Sequence, residues 1–417
     1  MHSNPLKPEL LLPAGDLEKL KYGLAFGGDA VYLGAPYFSL RARENEFNLE
    51  SLKEGIDHTH SLGKKVYLTA NIFARNRKLN NFMPAMDEWL KLQPDAIIMS
   101  DPGLMMMVRE KYPDIEIHLS VQANSMNWQN VKFWRKSLNI KRVILSRELS
   151  LAEIKEIRER VPDIELEAFV HGAICIAFSG RCLMSSYMSH RDANQGVCDN
   201  SCREKYKVFE KKEILLEDNR NPGELYEIKE DDDGTYFFNA KDLCLIEHLQ
   251  ELRDAGVCSF KVEGRTKSVY YVSSVARAYR QAIDDMMENK PYNPALMTEL
   301  EKISNRGYHK GFFKGQPGAE GQNYADGVTR FSTRKFTGLI QGPMDEAGFF
   351  PVEVRGTIKK NMELEILGPN MKQLNFKVEG ILNGKKQEVD AAHPGTGINY
   401  LKGAHVILEN GILNNIL

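Results

Sequence analysis

Four cysteines fall within 28 residues of one another in a chain of 417, spaced Cys175-x6-Cys182-x15-Cys198-x3-Cys202. Thiols clustered in this way are metal ligands or redox groups. Four soft donors are the complement of a tetrahedral zinc, or of a cubane cluster with one ligand per iron. Structural zinc prefers paired short spacings such as C-x2-C, which are absent, and an irregular spread suits four iron corners at least as well. The spacing alone leaves iron–sulfur, zinc and unliganded thiols open. The other two of the six cysteines read as packing residues, Cys244 in a helix pattern and Cys258 just before a strand.

The elements that must hold these thiols alternate from residue 9 to about 290. Short apolar runs at Glu9–Ala14, Ala30–Gly34, Lys65–Asn71, Ala96–Asp101, Ile117–Asn124, Arg142–Glu148, Glu165–Gly172 and Phe260–Arg265 are separated by helical patterns. In one of these, Leu151, Ile154, Ile157 and Val161 recur every three to four residues behind the capping box Ser150–Glu153. Eight strands with intervening helices predict an α/β fold, a closed (β/α)8 TIM-like barrel over residues 1–303, in preference to an open doubly wound sheet. One connection is far too long for a βα loop: the insertion 173–259, between strands seven and eight, carries the four cysteines. The acidic run Glu230–Gly234 within it reads as a solvated turn between two strands. Residues 304–330 read as a linker or wrapping segment. Residues 331–417 switch to alternating short strands at Phe336–Ile340, Phe350–Val354, Met362–Leu367, Leu374–Leu382 and Val406–Leu408, with a hairpin signal at Asn383-Gly384, and predict a small C-terminal all-β barrel domain.

Composition is that of an ordinary globular chain, 42% hydrophobic and 27% charged, and the net charge of −2 supplies no strong positive field. A nucleic-acid partner would need basic residues gathered on one surface, for which Arg75, Arg77, Lys78 and the pair Arg334-Lys335 are the candidates. The start Met1–Pro5 has no basic region followed by an apolar run, and no apolar stretch is long enough for a bilayer. The expectation is therefore cytoplasmic localisation with no membrane partner.

The run Glu167-Ala-Phe-Val-His171-Gly172-Ala-Ile-Cys175, with Gly180-Arg-Cys182-Leu-Met-Ser185 after it, resembles the signature of the family named peptidase U32. Leu12-Pro13-Ala14-Gly15, Ser120-Val-Gln122-Ala-Asn124, Lys261-Val-Glu263-Gly264-Arg265-Thr-Lys267 and Ser304-Asn-Arg306-Gly-Tyr308 carry the same resemblance, which spans nearly the whole chain. Val121 departs from it, where threonine is expected. The resemblance implies an oxygen-independent RNA hydroxylase of the tRNA-modifying branch, forming 5-hydroxyuridine at the wobble position. It also implies a [4Fe–4S] cluster on Cys175, Cys182, Cys198 and Cys202, with a prephenate-pathway metabolite as hydroxyl donor. Sibling branches act on a ribosomal RNA cytidine or on the ubiquinone ring. The alternative in the family's name, a collagenase-like peptidase, would need an activated nucleophile or a zinc-bound water, and neither H-E-x-x-H nor G-x-S-x-G occurs.

C5 hydroxylation of a pyrimidine is redox chemistry that side chains do not provide, so a cofactor must carry it. A single-stranded wobble base can be splayed into a pocket at the C-terminal mouth of a barrel. Polar residues at the expected strand ends are the candidate lining: Asn71, Asp101, Gln122, Asn124, Arg147 and Glu148, then Glu167, His171, Glu263 and Arg265. Glu167, His171 and Glu263 are the expected catalytic groups, with His171 as proton shuttle. Arg41, Arg265 and Lys267 are expected to hold a small carboxylate co-substrate, while Asn71, Gln122, Asn124 and Arg147 contact substrate. His190, Arg191 and Asn194 are expected to shape the cysteine loop.

Overall fold

A computed structural model describes residues 7–40, 46–175, 177–178, 181–182, 192–198, 214–217, 225–231, 234–236, 240–317, 319–321, 323 and 332–416. It divides into two compact units, one of residues 1–24, 28–267 and 305–330, the other of 25–27, 268–304 and 331–417.

The first unit is a closed barrel. Strands β1 (Glu9–Ala14), β2 (Ala30–Gly34), β3 (Lys65–Ala70), β4 (Ala96–Met99), β5 (Ile117–Leu119), β6 (Arg142–Ile144) and β7 (Glu165–Gly172) pair in parallel in chain order. The eighth barrel strand, Val257–Val262, closes the ring by pairing with both β7 and β1, at Phe260↔Ala168 and Leu10↔Phe260. These strands are almost continuously apolar because a parallel strand is covered on both faces. Helices α1 (Leu17–Ala25), α2 (Leu49–Ser61), α3 (Asn76–Leu90), α4 (Pro102–Lys111), α5 (Trp128–Leu138) and α6 (Leu151–Arg160) alternate with the first seven strands. Their starts are written locally. Ser150 and Glu153 form the expected capping box, and Asp101 caps α4 through Gly103 N–H and Leu104 N–H.

Several expected strands are shorter than the apolar runs. β5 stops at Leu119 because Ser120 turns its hydroxyl onto Gln122 N–H and starts a single 3-10 turn, Val121–Ala123. β6 stops at Ile144, and the eighth barrel strand lies three residues earlier than its apolar run suggested. In the insertion, β8 (Ile214–Glu217), β9 (Leu225–Asp231) and β10 (Gly234–Tyr236) form an antiparallel sheet, with Asp231 paired to Gly234 across the acidic turn. Strand β11 (Asp242–Cys244) pairs antiparallel to the end of β7, so Cys244 is a buried strand residue and not a helical one. After it come helix α7 (Leu249–Asp254) and the eighth barrel strand, here β12. Cys258 lies within β12, where its thiol donates to Leu166 O (3.4 Å).

The second unit contains helices α8 (Val269–Met287) and α9 (Ala295–Glu301) together with the C-terminal domain. The segment between them and that domain belongs to the barrel unit, where β13 (Tyr308–His309) runs parallel to β11. The C-terminal domain is all-β. Its main sheet has seven strands, β14 (Arg334–Ile340), β15 (Phe349–Val354), β17 (Glu363–Leu367), β18 (Gln373–Lys377), β19 (Gly380–Leu382), β21 (Ile398–Lys402) and β22 (Ile412–Ile416); β16 (Ile358–Lys359) and β20 (Ala391–Ala392) pair separately. The sheet curls over a core that includes Phe350, Val352, Ile366, Val378, Leu401 and Leu413. Val406–Leu408, expected as a strand, is irregular, with Val406 61% exposed, and Ile398–Lys402 and Ile412–Ile416 take its place in the sheet. Helix α8 packs on this domain: Tyr270 stacks on Phe336 (5.8 Å between centroids), and Arg277 Nη1 donates to Lys372 O (3.2 Å).

Candidate active site at the barrel mouth

Inside the barrel, below its mouth, lies a polar layer. Glu9, at the start of β1, accepts from Tyr67 Oη (2.6 Å), Arg142 Nη1 (2.7 Å) and Ser259 Oγ (2.9 Å). Glu167, wholly buried on β7, accepts Lys261 Nζ (2.7 Å) and faces Arg142 Nη1 at 3.3 Å. Burial raises the Glu167 pKa, but Lys261 and Arg142 outweigh it and hold the carboxyl below the usual carboxylate range. Glu167 is thus the counter-ion of two cations in the barrel interior.

The mouth is built from the ends of β1, β2, β7 and β12. Tyr32 Oη donates to Val262 O (3.0 Å), and Arg265 Nη2 donates to Leu40 O, tying the loop after β12 to the loop after β2. Asn71 accepts Leu40 N–H (3.0 Å) and donates to Ser120 Oγ (3.1 Å), tying β2, β3 and β5 together. Two glycines permit close approach here: a Cβ on Gly172 (φ +111°) would lie 2.6 Å from Glu263 O, and one on Gly15 2.3 Å from Arg265 O. Half-buried Arg147 lays its guanidinium on the Phe169 ring, 3.6 Å from the centroid. Burial lowers its pKa, opposed by Glu263, Tyr32, Glu148 and Cys175. Glu263 and the first cysteine therefore lie near enough to Arg147 to act on it.

The described parts of the cysteine segment are pinned across this mouth to β3 and β5. Arg181 Nε donates to Gln122 O (2.9 Å), and its guanidinium lies 4.5 Å from the Phe73 ring centroid. Gln195 Nε2 donates to Phe73 O, Asn124 Nδ2 to Phe178 O (3.4 Å), and Arg75 pairs with Asp192 (2.8 Å). Asn194 Nδ2 donates to Cys182 O (3.1 Å), the loop-shaping part expected of it. Cys175, Cys182 and Cys198 are half-buried and outside any disulfide. Among the described residues no group of three or more His, Cys, Asp or Glu side chains gathers as metal ligands. Cys202, like Arg41, His190 and Arg191, lies outside the described residues.

His171, 1% exposed, sits at the end of β7 with its ring against Tyr308 (5.3 Å between centroids). Burial brings its pKa down to about 3, with Asp242 opposing the shift and Lys267 adding to it. The imidazole is neutral near pH 7, a hydrogen-bonding group rather than a ready proton donor. Asp242 is itself buried and paired with Arg306, whose Nε donates at 3.0 Å. This ion pair fastens β11 to the start of β13.

The structure therefore brings Arg147, Glu263 and Arg265 to one side of the mouth and Asn71, Gln122 and Asn124 to the other, with half-buried Lys267 near His171. Asp101 is spent on capping α4 and on Ala74 N–H (3.0 Å). Of the basic clusters, Arg77 is exposed, while Lys78 donates to Tyr37 O (2.9 Å) and Arg334 pairs with Glu365 (3.6 Å). The sequence reading assigned no part to Tyr32, Phe169, Arg181, Asp242 or Lys261. Phe169, Arg181 and Lys261 stood inside the motifs that carry the family resemblance, which was their available signal. No helix among the described residues is long and apolar enough to cross a membrane.

Known proteins resemble this chain over both the barrel and the C-terminal domain. Residues 15–323 match the model of peptidase family U32, and residues 332–413 that of the peptidase family U32 C-terminal domain. The tRNA hydroxylation protein P of Haemophilus influenzae is 46% identical, covering 93% of this chain and 91% of its own. That of Escherichia coli is 44% identical, covering 94% and 92%. The solved structure of a U32 peptidase aligns over 63% of this chain and 96% of its own, at 13% identity and a TM-score of 0.42.

Proposed function

This chain belongs to peptidase family U32, and on that footing we propose that it hydroxylates tRNA, converting the wobble uridine to 5-hydroxyuridine without oxygen. The observation that carries this is the 46% identity to a tRNA hydroxylation protein over 93% of the chain, both domains included. The mouth supports it chemically. It offers amide oxygens at Gln122 and Asn124 for a base edge, with Asn71 bracing the loop that carries them through Ser120, and a guanidinium on an aromatic ring at Arg147. Arg147, Arg265 and Lys267 are the cations available for a small carboxylate donor from the prephenate pathway.

The [4Fe–4S] cluster on Cys175, Cys182, Cys198 and Cys202 belongs to the same proposal. Three half-buried thiols outside any disulfide, on a segment tied down by Arg181, Asn194 and Gln195, fit such a group in donor chemistry. When bound, it supplies the electron transfer that side chains lack. The chain's own residues hold the cysteine segment over the mouth, orient the base and keep a neutral His171 beside it. A peptidase would need a base active near neutral pH, and His171, whose pKa burial lowers, does not supply it.

Mass spectrometry of tRNA nucleosides from cells lacking the gene tests the reading. Loss of 5-hydroxyuridine, restored by the intact gene and not by a Cys175→Ala copy, is expected. An unchanged 5-hydroxyuridine level overturns it.

A further inference from the structure

The loop after β5 holds two amide side chains whose buried oxygens have no partner among the described residues, Gln122 Oε1 and Asn124 Oδ1. The backbone around them is firmly held. Gln122 N–H donates to Ser120 Oγ (3.4 Å), Gln122 O accepts Arg181 Nε, and Asn124 takes the left-handed conformation (φ 53°) that ends the turn. Gln122 is 6% exposed, yet its side chain makes no hydrogen bond among the described residues. Buried amide oxygens are nearly always satisfied, and an open one destabilises the chain that carries it. Two of them in one short turn, beside the cysteine segment, call for a ligand that brings donors.

Resting on the reading that a tRNA pyrimidine enters this mouth, we infer that Gln122 reads the Watson–Crick edge of that base. Uracil presents a donor at N3–H flanked by carbonyl acceptors, and a primary amide is the complement: Oε1 accepts N3–H while Nε2 donates to O4. No hydrogen bond among the described residues fixes the orientation of the amide, so the incoming base sets it. Glutamate at this position keeps the acceptor and loses the donor. It faces the uracil O4 with a second oxygen, so one bond is replaced by a repulsion, while a methyl group on N3 removes the donor from the base side.

The test uses purified full-length protein, the small-molecule fraction of cells lacking the gene as source of the hydroxyl donor, and two tRNA substrates, one with uridine and one with N3-methyluridine at the wobble position, read by nucleoside mass spectrometry. Gln122→Met should lower the rate on uridine roughly ten- to a hundredfold, with tRNA affinity within about twofold because phosphate contacts supply most of it. Gln122→Glu should lower the uridine rate as well, and the ratio of the uridine rate to the N3-methyluridine rate should be at least about ten in wild type and roughly three or less in Gln122→Met. A merely structural role would depress both substrates alike and leave that ratio at its wild-type value, which would overturn the inference. So would a Gln122→Met rate within twofold of wild type. A wild-type protein inert on both tRNAs would instead overturn the hydroxylase function itself.

Discussion

Replacing Glu167 with leucine removes the ion-pair partner of Lys261 in the barrel interior and leaves its ammonium beside the rings of Tyr32 (4.2 Å) and Phe169 (5.6 Å). Arg142, the other cation, keeps Glu9 and Glu165, each at 2.7 Å. Stranding one charge of a buried pair costs about 3–5 kcal/mol. A ceiling comes from the alternative of discharging the lysine: taking a group of ordinary pKa about 10.4 to its neutral form at pH 7 costs about 1.36 × 3.4, or roughly 4.6 kcal/mol. Glu167→Leu should therefore lower the stability of the barrel unit by about 3–4.6 kcal/mol, while Glu167→Leu/Lys261→Met, which removes both charges, should recover to within about 2 kcal/mol of wild type. Urea unfolding followed by circular dichroism reads the difference. The double variant should retain tRNA hydroxylation within roughly tenfold, since Glu167 works as a counter-ion. A single variant costing less than about 1 kcal/mol, or a double variant no more stable than the single, refutes the electrostatic argument. A stable but inactive double variant would return Glu167 to the catalytic part expected from the sequence.

Acid should destabilise the barrel through His171, whose pKa falls from an ordinary 6.5 to about 3 on folding. The unfolded chain takes up its proton first, so stability is complete above about pH 6.5 and falls toward pH 3 by up to about 1.4 kcal/mol per pH unit, a slope that His171→Asn should flatten in pH-dependent unfolding. Anaerobically purified protein should contain roughly four irons and four sulfides per chain, lost on changing Cys175, Cys182, Cys198 or Cys202 to alanine and kept in Cys244→Ala and Cys258→Ala; stoichiometric zinc without sulfide would rule the cluster out. Burial pushes the Cys258 thiol up to about 11, so it should resist iodoacetamide at pH 8 in the folded protein and react after denaturation. Arg181→Ala, which removes the bond to Gln122 O and the contact with Phe73, should speed limited proteolysis between residues 175 and 198 with the barrel left intact, and an unchanged cleavage rate would mean that the segment is held by other contacts.

The barrel and its cysteine-bearing insertion were legible in the sequence because each depends on information local to the chain. Continuous apolar runs such as Ala30–Gly34 state that a strand is covered on both faces, and Ser150 with Glu153 writes a helix start within four residues. The clustering of four thiols needs no tertiary contact to be noticed. What the tertiary structure decided is where side chains meet across the ring. Sequence position put Glu167 beside the cysteines. The period-two alternation of β7 instead turns it inward to Lys261, a partner 94 residues away. His171 has an ordinary sequence context and a depressed pKa, because burial is a property of the packed molecule. Helix α8, which lies within the 1–303 expected for the barrel, packs with the C-terminal sheet, since a helix's apolar face does not name the surface that will cover it. Gln122 and Asn124 stood among the candidates by type alone. Only the closed ring, with Arg181 reaching over from the cysteine segment, leaves their buried oxygens without a partner among the described residues. A chain can specify its local geometry residue by residue, but an unmet hydrogen bond exists only once everything around it has been placed.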